Sequence, residues 1–212
     1  MTTAAGVALI VGILSLAFVA AATDHRSALT SRIAKMAAAS CVIVLAVATA
    51  EWSAYATLVL VALVLSWIGD LALSYSTRRS FVVGLTAFAL AHLAYVAAFV
   101  ARGDLSLQLL VVSGFAMAVF GMGVLKWLSP HRPSSLRWPL TIYVAIICIM
   151  VATAFATLGD DPNLLIPVAA LLFTASDLFV ARQRFVTQSQ WNRLIGLPLY
   201  FLAQILFALS TT

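Results

Sequence analysis

The chain is predicted to be an all-α integral membrane protein, eight transmembrane helices in one bundle, and three observations carry that prediction. Of its 212 residues, 64% are hydrophobic and only 9% are charged, with a mean hydropathy of +1.09; a soluble domain carries about 25% charged residues. Uncharged runs at 1–23, 52–69, 80–101, 105–125, 138–159 and 194–212 approach or exceed the roughly 20 apolar residues that a bilayer-spanning helix requires. Finally, the basic residues collect in alternate connections between these runs, the signature of a chain threaded repeatedly through a bilayer.

Reading the apolar runs against their breakers places the spans at 4–22, 32–50, 54–75, 81–101, 105–128, 138–158, 163–181 and 193–210. The first ends before Asp24, and the second runs from Arg32 to the residue before Glu51. The third stops short of the Arg78-Arg79 pair and the fourth at Arg102, before Gly103 and Asp104. The fifth ends before Ser129-Pro130, and the sixth begins after Arg137 and ends before Gly159. The seventh stops at Arg182, and the eighth opens at Arg193. No linker or low-complexity stretch divides the chain, so residues 1–212 are expected to form a single transmembrane domain.

Charge then orients the bundle. Loops one, three, five and seven, with the helix ends beside them, hold Arg26, Arg32, Lys35, Arg78, Arg79, Lys126, Arg132, Arg137, Arg182, Arg184 and Arg193. The other connections hold Arg102, with Glu51, Asp104, Asp160 and Asp161. Because Lys and Arg accumulate on the cytoplasmic side, both termini are expected outside (N-out, C-out). Ala20, Ala21 and Ala22 mimic a signal-peptide cleavage site, but no basic side chain precedes them, and the first segment is expected to stay as a span. The net charge of +5 lies at helix ends, not on the basic face of a soluble module, so its expected partner is anionic lipid and not nucleic acid. The bias suits a plasma (inner) membrane. Cys41 and Cys148 lie inside apolar segments and make no disulfide framework.

An internal echo suggests a weak four-plus-four parallel repeat. Gly69-Asp70-Leu71 resembles Ser176-Asp177-Leu178, each precedes a two-arginine loop, and Gly84 to His92 has the spacing of Gly196 to Gln204.

Polar residues inside the spans carry the functional signal, because an Asp near the bilayer centre costs roughly 2.5–3.5 kcal/mol and such residues face a protein interior or a watery cavity. Asp70 and Asp177 both lie a few residues before the basic ends of their predicted helices, at one expected depth. Two carboxylates in one low-dielectric pocket would hold protons unequally, a neutral acid beside an ionised base, which is the apparatus of general acid and base hydrolysis. The competing structural account pairs each Asp with a neighbouring Arg such as Arg78 or Arg182. Ser66, Asp70 and Ser74 share one helical stripe, as do Phe173 and Asp177. Phe88, His92, Tyr95 and Phe99 form an aromatic strip that places His92 near mid-depth, at a different level from Ser176 and Asp177. Tyr200 and Gln204 share a face of helix eight. Lys35 stands where it can snorkel to phosphates or meet an aspartate, and Asn192 and Arg193 open helix eight at that surface. His25 and His131 lack ligand spacing to His92, so no metal site is expected, and no G-x-S-x-G supports a serine triad.

At these residues the chain resembles a known family. Trp67-Ile68-Gly69-Asp70, Phe88-Ala89-Leu90-Ala91-His92-Leu93-Ala94-Tyr95, Phe173-Thr174-Ala175-Ser176-Asp177-Leu178 and Tyr200-Phe201-Leu202-Ala203-Gln204 are similar, in order and spacing, to the signatures of the YhhN-type lysoplasmalogenase family. The likeness runs from about Lys35 to the C-terminus and includes Tyr143 and Met150; Met36 departs from the Lys-Pro often seen there. The resemblance implies hydrolysis of the vinyl ether bond of a lysoplasmalogen to a fatty aldehyde and a glycerophosphoethanolamine or glycerophosphocholine, without metal or other cofactor. It implies Asp70 and Asp177 as the catalytic pair. The expected substrate-binding residues are Lys35, Ser66, His92, Tyr95, Tyr143, Asn192, Arg193, Tyr200 and Gln204, with a lysophospholipid and the surrounding membrane lipids as partners. Lys35 or Arg193 would hold the phosphate. The alternative function is a small proton- or cation-coupled transporter using the same two aspartates as ion sites; its polar residues should line both halves of the membrane, whereas the ionisable ones here gather at one face.

Overall fold

The computed structural model describes residues 3–23, 27–159 and 164–212. Among them there are eight α-helices and no strand: α1 (Thr3–Thr23), α2 (Ala28–Thr49), α3 (Ala54–Leu73), α4 (Arg78–Arg102), α5 (Leu107–Leu128), α6 (Arg137–Ala156), α7 (Leu165–Ala181) and α8 (Gln190–Leu209). All eight are long and apolar enough to cross a membrane, α6 and α7 with the short turns that adjoin them. Arg26, Asp160 and Asp161, which enter the charge reading, and His25 lie outside the described residues.

The largest boundary differences from the sequence reading share one cause. Counting apolar residues stops at the first charge, but a helix continues to its cap. Ser27 Oγ accepts from Thr30 N–H at 3.3 Å and starts α2 four residues earlier than expected. Thr77 Oγ1 accepts from Ser80 N–H at 3.0 Å, drawing Arg78 and Arg79 into the first turn of α4. Ser189 does the same for α8 through Trp191 N–H at 3.3 Å. Each hydroxyl satisfies a backbone donor that would otherwise lack an intrahelical partner. At the other end, α7 runs on through a π-helical turn, Arg182–Val186, closed by Thr187 N–H donating to Arg182 O at 2.8 Å.

Packing follows a ring in which α1, α2, α3, α4, α6, α7 and α8 are successive neighbours and α8 closes on α1 while also touching α2 and α3. Helix α5 packs on α6 outside the ring and is the least buried span. The core is centred on the aromatic faces of α4, α7 and α8, where Tyr95, Phe99, Phe173, Phe201 and Phe207 are fully enclosed. Tyr95 stacks on Phe207 with centroids 4.1 Å apart. On the face away from the arginine pairs, Glu51 N–H donates to Thr211 O at 2.8 Å and Ser106 N–H to Ala156 O at 2.9 Å, tying loops to neighbouring helix ends.

Candidate active site

Two close helix contacts fix the positions of the aspartates. Helix α4 meets α3 where both backbones lack side chains: a Cβ on Gly84 would lie 2.7 Å from Leu73 and 3.3 Å from the Gly69 carbonyl, and one on Gly69 would lie 2.7 Å from the Phe88 ring. Helix α8 meets α7 at Gly196, where a Cβ would lie 2.8 Å from Phe179 Cβ and 3.8 Å from the Ser176 carbonyl. Each contact falls beside the residue preceding an aspartate, so helix spacing, and with it the reach of the partner side chains, is set there.

Asp70 is buried, its side chain 4% exposed, and its two oxygens have different partners. Lys35 Nζ of α2 sits 3.2 Å from Oδ1, and Tyr200 O–H of α8 donates to Oδ2 at 2.7 Å. Tyr200 in turn accepts from Gln204 Nε2 at 2.9 Å, and Gln204 Oε1 accepts from Tyr95 O–H at 2.6 Å. Every donor in this series points toward the carboxylate, so the bonds polarise one another in a single direction. Ser74 Oγ donates to the Asp70 carbonyl at 2.7 Å. Ser66, one turn before Asp70, is fully buried, and its Oγ has no hydrogen-bond partner among the described residues.

Asp177 has a different setting. Tyr143 O–H of α6 donates to its Oδ2 at 3.0 Å, and His92 Nε2 of α4 lies 3.7 Å from the same atom. His92 Nδ1 is 2.6 Å from the Phe88 carbonyl, and a carbonyl only accepts, so Nδ1 carries a proton and donates it. In a neutral imidazole Nε2 is then a lone pair facing a carboxyl oxygen; one proton held between His92 and Asp177 removes that conflict. The Asp177 side chain is 16% exposed, the more open of the two acids.

The two carboxylates do not bond to each other among the described residues. The ring of Phe173 touches both sets of partners, 5.3 Å from Tyr200 and 4.6 Å from His92, each edge-on. Phe88 joins the same cluster at 5.9 Å from Tyr200 and 6.0 Å from Phe173. Neither aspartate follows the competing arginine account: Asp70 takes Lys35, and Arg182 donates to Asn192 Oδ1 at 2.7 Å.

The level assigned to His92 from sequence is corrected. It lies beside Asp177, because the path of α7 continues to Val186 and so sets Asp177 farther from the helix end than the run of apolar residues implied. Asn192 is buried in the first turn of α8; besides accepting from Arg182, its Nδ2 donates to Gln183 Oε1 and to Thr187 O, both at 2.8 Å. Its amide is therefore fully engaged in holding the π-helical turn. Arg193 is half-buried on the first turns of α8. Among the described residues no three His, Cys, Asp or Glu side chains gather as a metal site. A groove of about 510 Å³ between α5 and α7, walled by Phe120, Trp127, Ala175, Phe179 and Arg182, is apolar and contains neither aspartate. The sequence reading missed Phe88 and Phe173 as the link between the two acids; their i and i−4 spacing from His92 and Asp177 was the available signal.

No solved structure matches the chain. A Bos taurus protein named lysoplasmalogenase TMEM86A is 33% identical over 161 residues, covering 73% of this chain and 65% of that protein. A Mycobacterium tuberculosis protein named lysoplasmalogenase is 35% identical over 145 residues, 66% of this chain and 53% of that protein. The Homo sapiens lysoplasmalogenase TMEM86B is 33% identical over 156 residues, 74% of this chain and 64% of that protein. This chain thus spans between half and two thirds of the length of these relatives. The YhhN family model matches residues 30–211, a stretch that takes in α3 to α8, most of α2, both aspartates and every partner named above, and the chain belongs to the YhhN family.

Proposed function

We propose that this multi-pass membrane protein is a lysoplasmalogen hydrolase that cleaves the vinyl ether bond to release a fatty aldehyde and a glycerophosphoethanolamine or glycerophosphocholine. The observation that carries the proposal is the unequal environment of two carboxylates around one aromatic cluster, Asp70 buried beside a lysine and Asp177 part-buried beside a histidine and a tyrosine. The names of the relatives point the same way.

Vinyl ether cleavage needs a proton on the β-carbon and water at the α-carbon. Asp177 is the proposed proton donor. It has no Lys or Arg partner among the described residues, its oxygen faces a histidine lone pair, and it has the more open edge. Transfer of that proton to the β-carbon moves the double-bond electrons and leaves an oxocarbenium ion. Asp70, ion-paired with Lys35, is the proposed carboxylate. It stabilises the developing cation and takes a proton from the attacking water. The hemiacetal then collapses, its O–H proton passing to the departing glycerol oxygen; Asp70 gives up its proton to solvent and Asp177 takes one back, so one water is consumed per bond broken and both acids return to their starting state.

The cytoplasmic placement of the arginine-rich ends, with both termini outside, belongs to the same proposal, as do the plasma membrane and a four-plus-four repeat behind the paired Gly contacts. The test is aldehyde release from a lysoplasmalogen by purified wild type, Asp70→Asn and Asp177→Asn in detergent. Each variant is expected to lose about 10²–10⁴ in turnover while remaining folded; wild-type rates in either folded variant would remove it from the mechanism.

A further inference from the structure

Lys35 is committed to Asp70, which leaves open what receives the phosphate of a lysolipid. One helical turn before Lys35, Arg32 of α2 lies with its guanidinium over the Tyr75 ring, 4.1 Å from the centroid, and Nη2 donates to the Ser74 carbonyl at 3.3 Å. Its Nε is enclosed and has no acceptor among the described residues. Arginine carries five N–H donors in a planar fork. Here the stacking ring and one long bond fix the plane while most of those donors stay unspent. No carboxylate pairs with Arg32 among the described residues. This is a pre-oriented cation with bidentate capacity, the arrangement that matches a tetrahedral oxyanion.

Its place fits one substrate geometry. Arg32 is three residues toward the helix start from Lys35, about 4.5 Å of helical rise, and Ser74 and Tyr75 follow Asp70 at the C-terminal end of α3, Ser74 as its cap. In a glycerol lysolipid the sn-1 oxygen and the phosphorus are five bonds apart. A phosphate at Arg32 therefore leaves the sn-1 vinyl ether reaching inward, toward the level of the Lys35–Asp70 pair. We infer that Arg32, oriented by Tyr75 and the Ser74 carbonyl, binds the phosphate of the lysolipid headgroup and sets the depth to which the vinyl ether enters. The inference rests on the hydrolase proposal for its substrate, and its test separates the two.

The probe is an uncleavable 1-alkyl lysophosphoethanolamine, with the matching 1-alkylglycerol, lacking phosphate, as the control; both are titrated against the full-length protein in a zwitterionic detergent. Wild type is expected to prefer the phosphate-bearing probe by tenfold or more. Arg32→Gln should lose that preference while binding the alkylglycerol as before, and Arg32→Lys should recover only part of it, since a point charge does not reproduce the fork. The inference is overturned by an equal loss on both probes, which marks a structural role, or by full preference in the variant, which places the phosphate elsewhere. Competition by inorganic phosphate alone would identify a general anion site and overturn the lipid assignment. Aldehyde release from the cleavable analogue is read in parallel: a wild type that binds with phosphate preference but releases no aldehyde refutes the hydrolase proposal and not the role of Arg32.

Discussion

Replacing Lys35 with methionine isolates the energetics of the site. The change keeps the length of the stem and removes the cation, leaving Asp70, 4% exposed, with the single donor Tyr200 O–H. Breaking a buried ion pair from one side costs about 3–5 kcal/mol, because the remaining charge stays desolvated without its counter-charge. The Lys35 side chain is 14% exposed, so the lower end applies, about 3 kcal/mol. For a chain of this size that corresponds to a fall of about 6–12 °C in the unfolding midpoint. The decisive comparison is a cycle with Asp70→Asn. The double variant carries no unpaired charge, and much of the lost stability should return, giving a coupling energy of about 2 kcal/mol. Thermal unfolding of wild type, both single variants and the double variant in one detergent, followed by tryptophan fluorescence, measures it. Strictly additive losses, with coupling under about 0.5 kcal/mol, would show that the 3.2 Å contact contributes nothing and that Lys35 faces the lipid phosphates instead.

Three further outcomes follow from the same geometry. Gly69→Ala drives a Cβ to 2.7 Å from the Phe88 ring, which is held by Phe173 and Tyr200 and cannot retreat, so stability should fall by about 1–3 kcal/mol in the same unfolding assay. Tyr200→Phe should slow aldehyde release more than Tyr95→Phe does, since the first bond touches Asp70 and the second only ends the series at Gln204; equal effects would mean that the series acts as one unit. Asn192→Ala removes one acceptor and two donors that hold the π-helical turn, and should lower the unfolding midpoint by several degrees while leaving the turnover of folded protein unchanged.

Much of the architecture was legible because hydropathy acts over a whole span: eight long apolar runs survive errors of several residues at each end. The ends themselves were not, since Ser27, Thr77 and Ser189 are single hydroxyls whose capping role depends on backbone geometry that composition does not report. Periodicity within one helix also placed Ser66 with Asp70, and Tyr200 with Gln204, on common faces. What periodicity cannot supply is the rotation of one helix against another. The attachment of Tyr200 to Asp70, of Tyr143 and His92 to Asp177, and of Asn192 to a turn on its own connection are facts of packing between helices. The outlying position of α5 belongs to the same class: its sequence is as apolar as that of its neighbours, and only its contacts separate it from the ring.

The settings of the two acids differ through the side chains that follow the close-contact glycines of α4 and α8. Four residues after the Gly that meets α3 stands Phe88; four after the Gly that meets α7 stands Tyr200. The phenol of Tyr200 reaches across to Asp70 on α3, whereas Phe88 has no hydroxyl to offer Asp177 and contributes only its carbonyl, which fixes the proton on His92 Nδ1. Four residues farther on, His92 approaches Asp177, while Gln204, its counterpart, stops at the hydroxyl of Tyr200. The acid of each helix hairpin is therefore met by a side chain of the other hairpin, with the chemistries exchanged. A phenol, itself backed by the Gln204 amide, delivers only a hydrogen bond to Asp70, whose charge Lys35 balances; an imidazole beside Asp177 can carry or release a proton. A symmetric pair of sites would bind protons equally. Under the proposed mechanism, histidine where the other hairpin has glutamine, and phenylalanine where it has tyrosine, would suit Asp177 to giving a proton and Asp70 to holding a charge.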